Sequence, residues 1–296
     1  MKHRAARAWV SACAAALMLA GCATKPVPIA SAPLPARGYQ WLHGSGEAAL
    51  ISRTAYEAMA GFVEAAQAAR KAGRPIDGAV LATDASPQAP AWTACGDKPS
   101  AVVLDMDETS VLNTGANYDA ARRGDPPFDA KRWDAWERGG AAYVEPLPGA
   151  VAAFARFRAA GVTPVVITNR RSANAGGAIA ALAQAGLGDF AQGDTLFLAG
   201  DVAPGSGKDP RRAFVASRYC VLAMAGDQLG DFSDLFNART LAPQSRRALA
   251  LSPAIGGKWG HGWFLMPNPL YGPGIAGGFD DIFPAAVRWP GPDGDR

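Results

Sequence analysis

The sequence predicts an α/β fold, a doubly wound and mostly parallel sheet. Four apolar runs of strand type, at residues 101–104, 162–167, 195–198 and 220–225, alternate with stretches whose apolar residues recur at helical spacing. Continuous runs of that kind are how strands buried on both faces read, and strand–helix alternation sets such strands side by side in parallel. Each run also ends on polar residues. In open parallel sheets, ligands bind at the carboxyl ends of the strands.

In chain order, Leu50, Ile51, Ala55, Met59, Phe62, Val63 and Ala66 mark one face of a long helix over about 45–72, ended by Gly73 and Pro75. This helix is expected to cover the sheet. A Pro- and Gly-containing loop at 86–99 leads into the first strand. An irregular polar insertion follows at 113–148, carrying Tyr118, Phe128, Trp133, Trp136 and Tyr143 over the strand ends. Further helices are expected from Pro148 through Val151, Phe154 and Phe157, over the Ala-rich stretch 172–187, and from Lys208 through Phe214 and Val215.

The first residues read as a targeting segment. Lys2, Arg4 and Arg7 precede an apolar stretch at 9–20, too short to span a bilayer. Its ending, Leu19, Ala20, Gly21 and Cys22, resembles the bacterial lipobox. That resemblance implies loss of residues 1–21 and a lipid anchor to the membrane on Cys22. With the neutral Ala23 next, it implies an exported, outer-membrane lipoprotein of a Gram-negative bacterium. Residues 22–40 are rich in proline and read as a tether, leaving 41–296 as one domain. The 29 basic residues less the three in the signal leave 26, equal to the 26 acidic ones. Such a balance argues against nucleic acid as a partner and against a polybasic membrane patch. His43 and His261 are isolated, so zinc finds no support.

Asp105 and Asp107 stand at the end of the first strand. At this spacing their side chains start on the same side, about 7 Å apart, and closer if the chain turns. Two carboxylates that near each other call for a hard cation or a shared proton. A strand that merely ends in solvated acidic residues is the plain alternative.

The other strand ends decide how that pair is read. They carry Thr168, Asn169 and Arg170, then Lys208, then Asp227 with Asp231 four residues on. This order resembles the four motifs of the haloacid dehalogenase superfamily of phosphohydrolases, with Asp105-x-Asp107-x-Thr109 as the first. Trp41, residues 45–47, Phe128 with Asp129 and Trp133, residues 148–150 and the run from Met266 to Gly272 narrow the resemblance. They are similar to bacterial lipoprotein acid phosphatases of the outer-membrane 5′-nucleotidase type and their class B-like relatives. The matched features span about residues 41–283.

The resemblance implies a haloacid dehalogenase-like fold and a Mg²⁺-dependent phosphomonoesterase acting on small organic phosphates, foremost nucleoside monophosphates. Asp105 is the implied nucleophile and Asp107 the acid–base partner. Mg²⁺ would be held by Asp105, Asp227 and the backbone carbonyl of Asp107, with Asp231 orienting Lys208 or a metal-bound water. Thr168, Asn169 and Lys208 would bind the phosphoryl group. Trp133 and Tyr271 would sandwich the leaving group, unless both are packing residues. In the superfamily's strand order the strands bearing Asp105 and Asp227 are neighbours, which puts Cys95 and Cys220 within reach of a disulfide. Two features depart from the pattern: Gly230 replaces an acidic residue, and the stretch 199–207 is long. Two alternatives stay open, a broad phosphatase with phosphotransferase activity and a surface ligand-binding lipoprotein on the same fold. A homo-oligomer is compatible with the sequence.

Overall fold

The computed structural model describes residues 34–292. Cys22, the segment 1–21 and most of the tether lie outside the described residues. Two helices, α1 (Arg37–Gly44) and α2 (Gly46–Lys71), precede an antiparallel pair, β1 (Asp77–Leu81) and β2 (Trp92–Ala94). After β3 (Ser100–Leu104) come β4 (Val111–Leu112), α3 (Thr114–Arg122), α4 (Ala130–Gly139) and β5 (Glu145–Pro146). The alternating core continues with α5 (Ala150–Ala159), β6 (Thr163–Arg171), α6 (Ala175–Gln184), β7 (Leu196–Ala199), α7 (Asp209–Arg218) and β8 (Cys220–Gly226). It closes with α8 (Pro243–Ala250) and β9 (Trp263–Leu265).

The five-stranded sheet has the order β7-β6-β3-β8-β9, with every neighbouring pair parallel. Its central strand, β3, is buried at all five residues. Val102 and Leu104 face a layer containing Met59, Val63, Phe154, Phe157 and Leu182, while Ala101 and Val103 face one containing Phe232, Phe236 and Trp263. That two-sided split is the period-2 alternation of a strand, and it explains an unbroken apolar run. Each large side chain so buried contributes about 1.5–3 kcal/mol.

Ser45 caps α2, its hydroxyl accepting from the Ala48 amide at 3.1 Å. The helix buries Ala48, Ser52, Tyr56, Met59, Ala60 and Val63. Leu50 and Ile51, expected on that face, are 62% and 48% exposed. Small residues at 48, 52 and 60 set the contact stripe instead, and turned those two leucine-class side chains away. The insertion is also less irregular than its polarity predicts, for it forms α3 and α4. Neither has an apolar stripe to read: α3 buries no residue and α4 buries only Glu137. The helix α1 starts at Arg37, inside the stretch assigned to the tether. The short strands β1, β2 and β9 carry too few residues to announce themselves.

A disulfide joins Cys95 to Cys220, with Cα atoms 4.4 Å apart. Ser100 pairs with Cys220 in the sheet, so the bridge ties the β2–β3 connection to the start of β8, beside the amino-terminal end of β3. It lies at the opposite end of these strands from Asp105 and Asp227.

Candidate active site

The backbone leaves β3 at Asp105, whose amide still donates to the Ala225 carbonyl of β8 at 2.9 Å. The chain then turns tightly: the Ser110 and Val111 amides donate to the Met106 carbonyl at 2.9 Å each, and the Ser110 hydroxyl donates to the Asp105 carbonyl at 2.6 Å. At the apex Glu108 adopts a left-handed φ of 53°. That conformation costs a non-glycine residue energy, and its buried carboxylate offsets the cost by accepting from the Asn113 amide, the Asn113 and Asn117 side chains, and the Tyr271 hydroxyl. Tyr56 of α2 braces the same turn, donating to the Thr109 carbonyl at 2.7 Å.

Two further segments, one beyond β7 and one at the end of β8, add to the floor. Lys208, just before α7, donates from Nζ to Asp105 Oδ1 at 2.5 Å and to Asp231 Oδ1 at 2.6 Å. Asp227, at the end of β8, accepts from the Thr109 hydroxyl at 3.0 Å, the Asn268 amide at 2.7 Å and the Gln228 amide at 3.2 Å. Asp231 Oδ2 accepts from the Gln228 backbone at 2.9 Å, so both its oxygens are engaged. Asp105, Asp227 and Asp231 are all buried, and one carboxylate oxygen from each lies within 4.8 Å of the others.

The electrostatics follow from that crowding. Burial, with Asp231 and Asp227 adding repulsion against the pull of Lys208, raises the Asp105 carboxyl well above its ordinary value. Burial and the nearby Asp231 push Asp227 up to about 6. Burial opposes the charge on Lys208, yet the Asp105 and Asp231 carboxylates outweigh it and raise its pKa. Three carboxylates against one ammonium leave negative charge among hard oxygen donors. This set fits a divalent hard cation.

Asp107 stands apart from the three. Its carboxylate accepts from Arg170 Nη2 at 2.7 Å and Nε at 3.0 Å, and from Asn113 at 3.0 Å. Burial alone would raise its pKa, but Arg170 and these hydrogen bonds reverse the direction and lower it. Its side chain is thus committed to Arg170, leaving the backbone carbonyl for the metal role expected from sequence. The Thr168 hydroxyl donates to Asp107 Oδ2 at 3.3 Å and accepts the Arg170 amide at 3.1 Å, and the residue is fully buried.

Asp105, Asp107, Arg170, Lys208, Asp227 and Asp231 form the floor of a cavity of about 1270 Å³, lined also by Asn169, Trp133 and Tyr271, whereas Thr168, expected from sequence to bind phosphate, lies buried and is not among its lining residues. Trp133 packs beside Phe128 with ring centroids 6.4 Å apart. Tyr271 is 40% exposed, and its hydroxyl donates to Glu108 at 2.5 Å. Trp136 lies deeper, donating to Asn113 at 3.0 Å, and serves as a plug. The structure therefore brings Asp105, Asp107, Asn169, Lys208, Asp227, Asp231, Trp133 and Tyr271 to one cavity. Sequence reasoning missed Glu108, Asn113 and Asn268, and gave Arg170 no role. Arg170 and Asn268 sat inside runs already singled out, but a contact to a residue more than 40 positions away leaves no spacing signal.

The family model described as "HAD superfamily, subfamily IIIB (Acid phosphatase)" matches residues 53–274. Two solved structures are similar: the class C acid phosphatase from Bacillus anthracis, and the same protein with tungstate bound. Each is 22% identical over 80% of this chain and 84% of that one, with a TM-score of 0.61, a likeness of fold. No curated protein matches the chain.

Proposed function

We propose, on the premise that the chain belongs to HAD superfamily subfamily IIIB, the acid phosphatases, that it is a Mg²⁺-dependent phosphomonoesterase of small organic phosphates. Nucleoside monophosphates are the substrates this reading favours, because Trp133 and Tyr271 line the cavity that holds Asp105. One observation carries the proposal: Asp105 sits at the end of the central strand, paired with Lys208 and clustered with Asp227 and Asp231.

In this mechanism Asp105 attacks phosphorus as nucleophile, forming an aspartyl-phosphate as the ester oxygen leaves. Asp107 gives that oxygen a proton, then takes one from the water that attacks phosphorus and releases phosphate, freeing Asp105. Arg170 favours the ionised form of Asp107, which suits the second half-reaction, and the proton taken from water there is the one given to the next leaving group. Lys208 offsets charge on the transferring group. Thr168 and Asn169 close the other side. Asp105, Asp227 and the Asp107 carbonyl would hold the cation, which when bound would neutralise part of the charge facing Asp105.

The mature chain is proposed to be an exported outer-membrane lipoprotein, anchored at Cys22 and tethered to a single domain. Purified protein assayed on a panel of phosphomonoesters, with Mg²⁺ and with chelator, tests the chemistry. Release of phosphate only with the metal is expected; full activity after exhaustive chelation would reject it. Fractionation of Cys22→Ser tests the anchor, with loss from the membrane pellet expected.

A further inference from the structure

Two adjacent arginines in the first turn of α7 are almost fully buried and reach in different directions. Arg212 turns towards the loop after β8, donating to the Gly230 and Asp231 carbonyls at 2.9 Å each, and pairs with Asp209 and Asp234. Arg211 turns towards β6. Its Nη1 donates to the Thr168 carbonyl, and its Nη2 to Asn169 Oδ1 at 2.7 Å, the Ser206 carbonyl at 2.8 Å and the Gly207 carbonyl at 3.1 Å.

Arg211 thus joins two segments that are 37 or more residues apart in sequence. Asn169 lines the cavity from one segment, and Ser206, Gly207 and Lys208 line it from the other. All four acceptors are carbonyl or amide oxygens. Burying a guanidinium whose hydrogen-bond acceptors are all neutral is a costly way to hold a loop, because the nearby Asp105, Asp234 and Asp201 charges return only part of the lost hydration. Its planar fork, however, holds the two segments through two nitrogens at a fixed spacing, which the single nitrogen of an ammonium does not set.

We infer that Arg211 is a positioning residue for the phosphoryl cradle. Its fork sets the gap between Thr168 with Asn169 and Gly207 with Lys208, so that both sides meet the same phosphoryl group. The inference rests on the phosphatase reading of the site.

The test compares the parent protein with Arg211→Lys and Arg211→Met. Thermal melting is measured alongside inhibition by orthophosphate, and kcat and KM on p-nitrophenyl phosphate, an alkyl phosphate and a nucleoside monophosphate. Arg211→Lys is expected to fold, and to bind orthophosphate about 10- to 150-fold more weakly, the range for losing a hydrogen bond from a charged donor. Its kcat/KM should fall by one common factor on all three substrates, because the cradle touches only what they share. Arg211→Met should lose at least as much. The inference is overturned if Arg211→Lys lowers the melting temperature alone, if the loss depends on the leaving group, or if neither variant folds. A parent that neither hydrolyses phosphomonoesters nor binds orthophosphate would sink the phosphatase reading itself, whereas an active parent with an unimpaired Arg211→Lys sinks only the positioning role.

Discussion

The floor of the cavity, at the carboxyl ends of β3, β6 and β8, is buried and densely hydrogen-bonded, whereas its mouth, between the insertion and residues 270–273, is half-exposed and aromatic. On the floor nearly every carboxylate oxygen has a named partner: Lys208 for Asp105 and Asp231, Arg170 for Asp107, Asn268 and Thr109 for Asp227. Such a floor can position charge before the substrate arrives, which is where electrostatic catalysis gets its advantage. At the mouth, Trp133 packs beside Phe128, itself 77% exposed, and Tyr271 is held by its hydroxyl to Glu108 and its carbonyl to Gln228. A surface like that can select a leaving group but cannot do the chemistry. Changes in the floor should therefore affect every phosphomonoester, and changes in the mouth only some.

The largest effect is expected at the nucleophile. Asp105→Asn should lower kcat on the order of 10⁴-fold or more on every substrate, with the fold intact by circular dichroism. A substrate-dependent loss there would erase the distinction between floor and mouth.

Next comes Asp107→Asn. An alkyl phosphate, whose leaving oxygen needs a proton, should lose about 10²- to 10⁴-fold in kcat. The loss on p-nitrophenyl phosphate, with its stable leaving anion, should be smaller. Equal losses on both would reject Asp107 as the acid.

At the mouth, Trp133→Ala and Tyr271→Ala should raise KM for nucleoside monophosphates about 5- to 150-fold, the equivalent of one stacked base. Small aliphatic phosphates should be little changed. Should both substitutions weaken all substrates alike, the rings would belong to the floor's packing.

The smallest effect is on stability. Without a cation, folding raises Asp227 from near 4 to about 6. An acid so raised stabilises the folded chain below its unfolded pKa, and that contribution is lost as pH rises from about 4 through about 6. Added Mg²⁺ should therefore raise Tm more at about pH 7.5 than at about pH 4.5, read by thermal melts against a chelator control. A shift that is larger in acid would contradict the carboxylate cluster as the binding site.

By itself, the sequence determined the sheet and the positions of its polar strand ends. Residues 101–104 and 220–225 read as buried strands because both faces of each are covered, and an apolar run records that directly. Asp105 and Asp227 follow from standing at the ends of such runs, where the backbone turns a side chain into the crevice, whereas Lys208, nine residues beyond β7, was legible only from the order of the motifs. What only the tertiary structure decided are the partnerships between those ends. Asp107 turns to Arg170, Glu108 holds a left-handed turn against Tyr271, and Arg211 reaches from α7 to β6. The helices of the insertion and the rotated face of α2 belong with them, since their polar or small residues carry no period that marks a buried side. Periodicity records what a residue packs against within its own element; a hydrogen bond between distant elements depends on where the whole chain brings them.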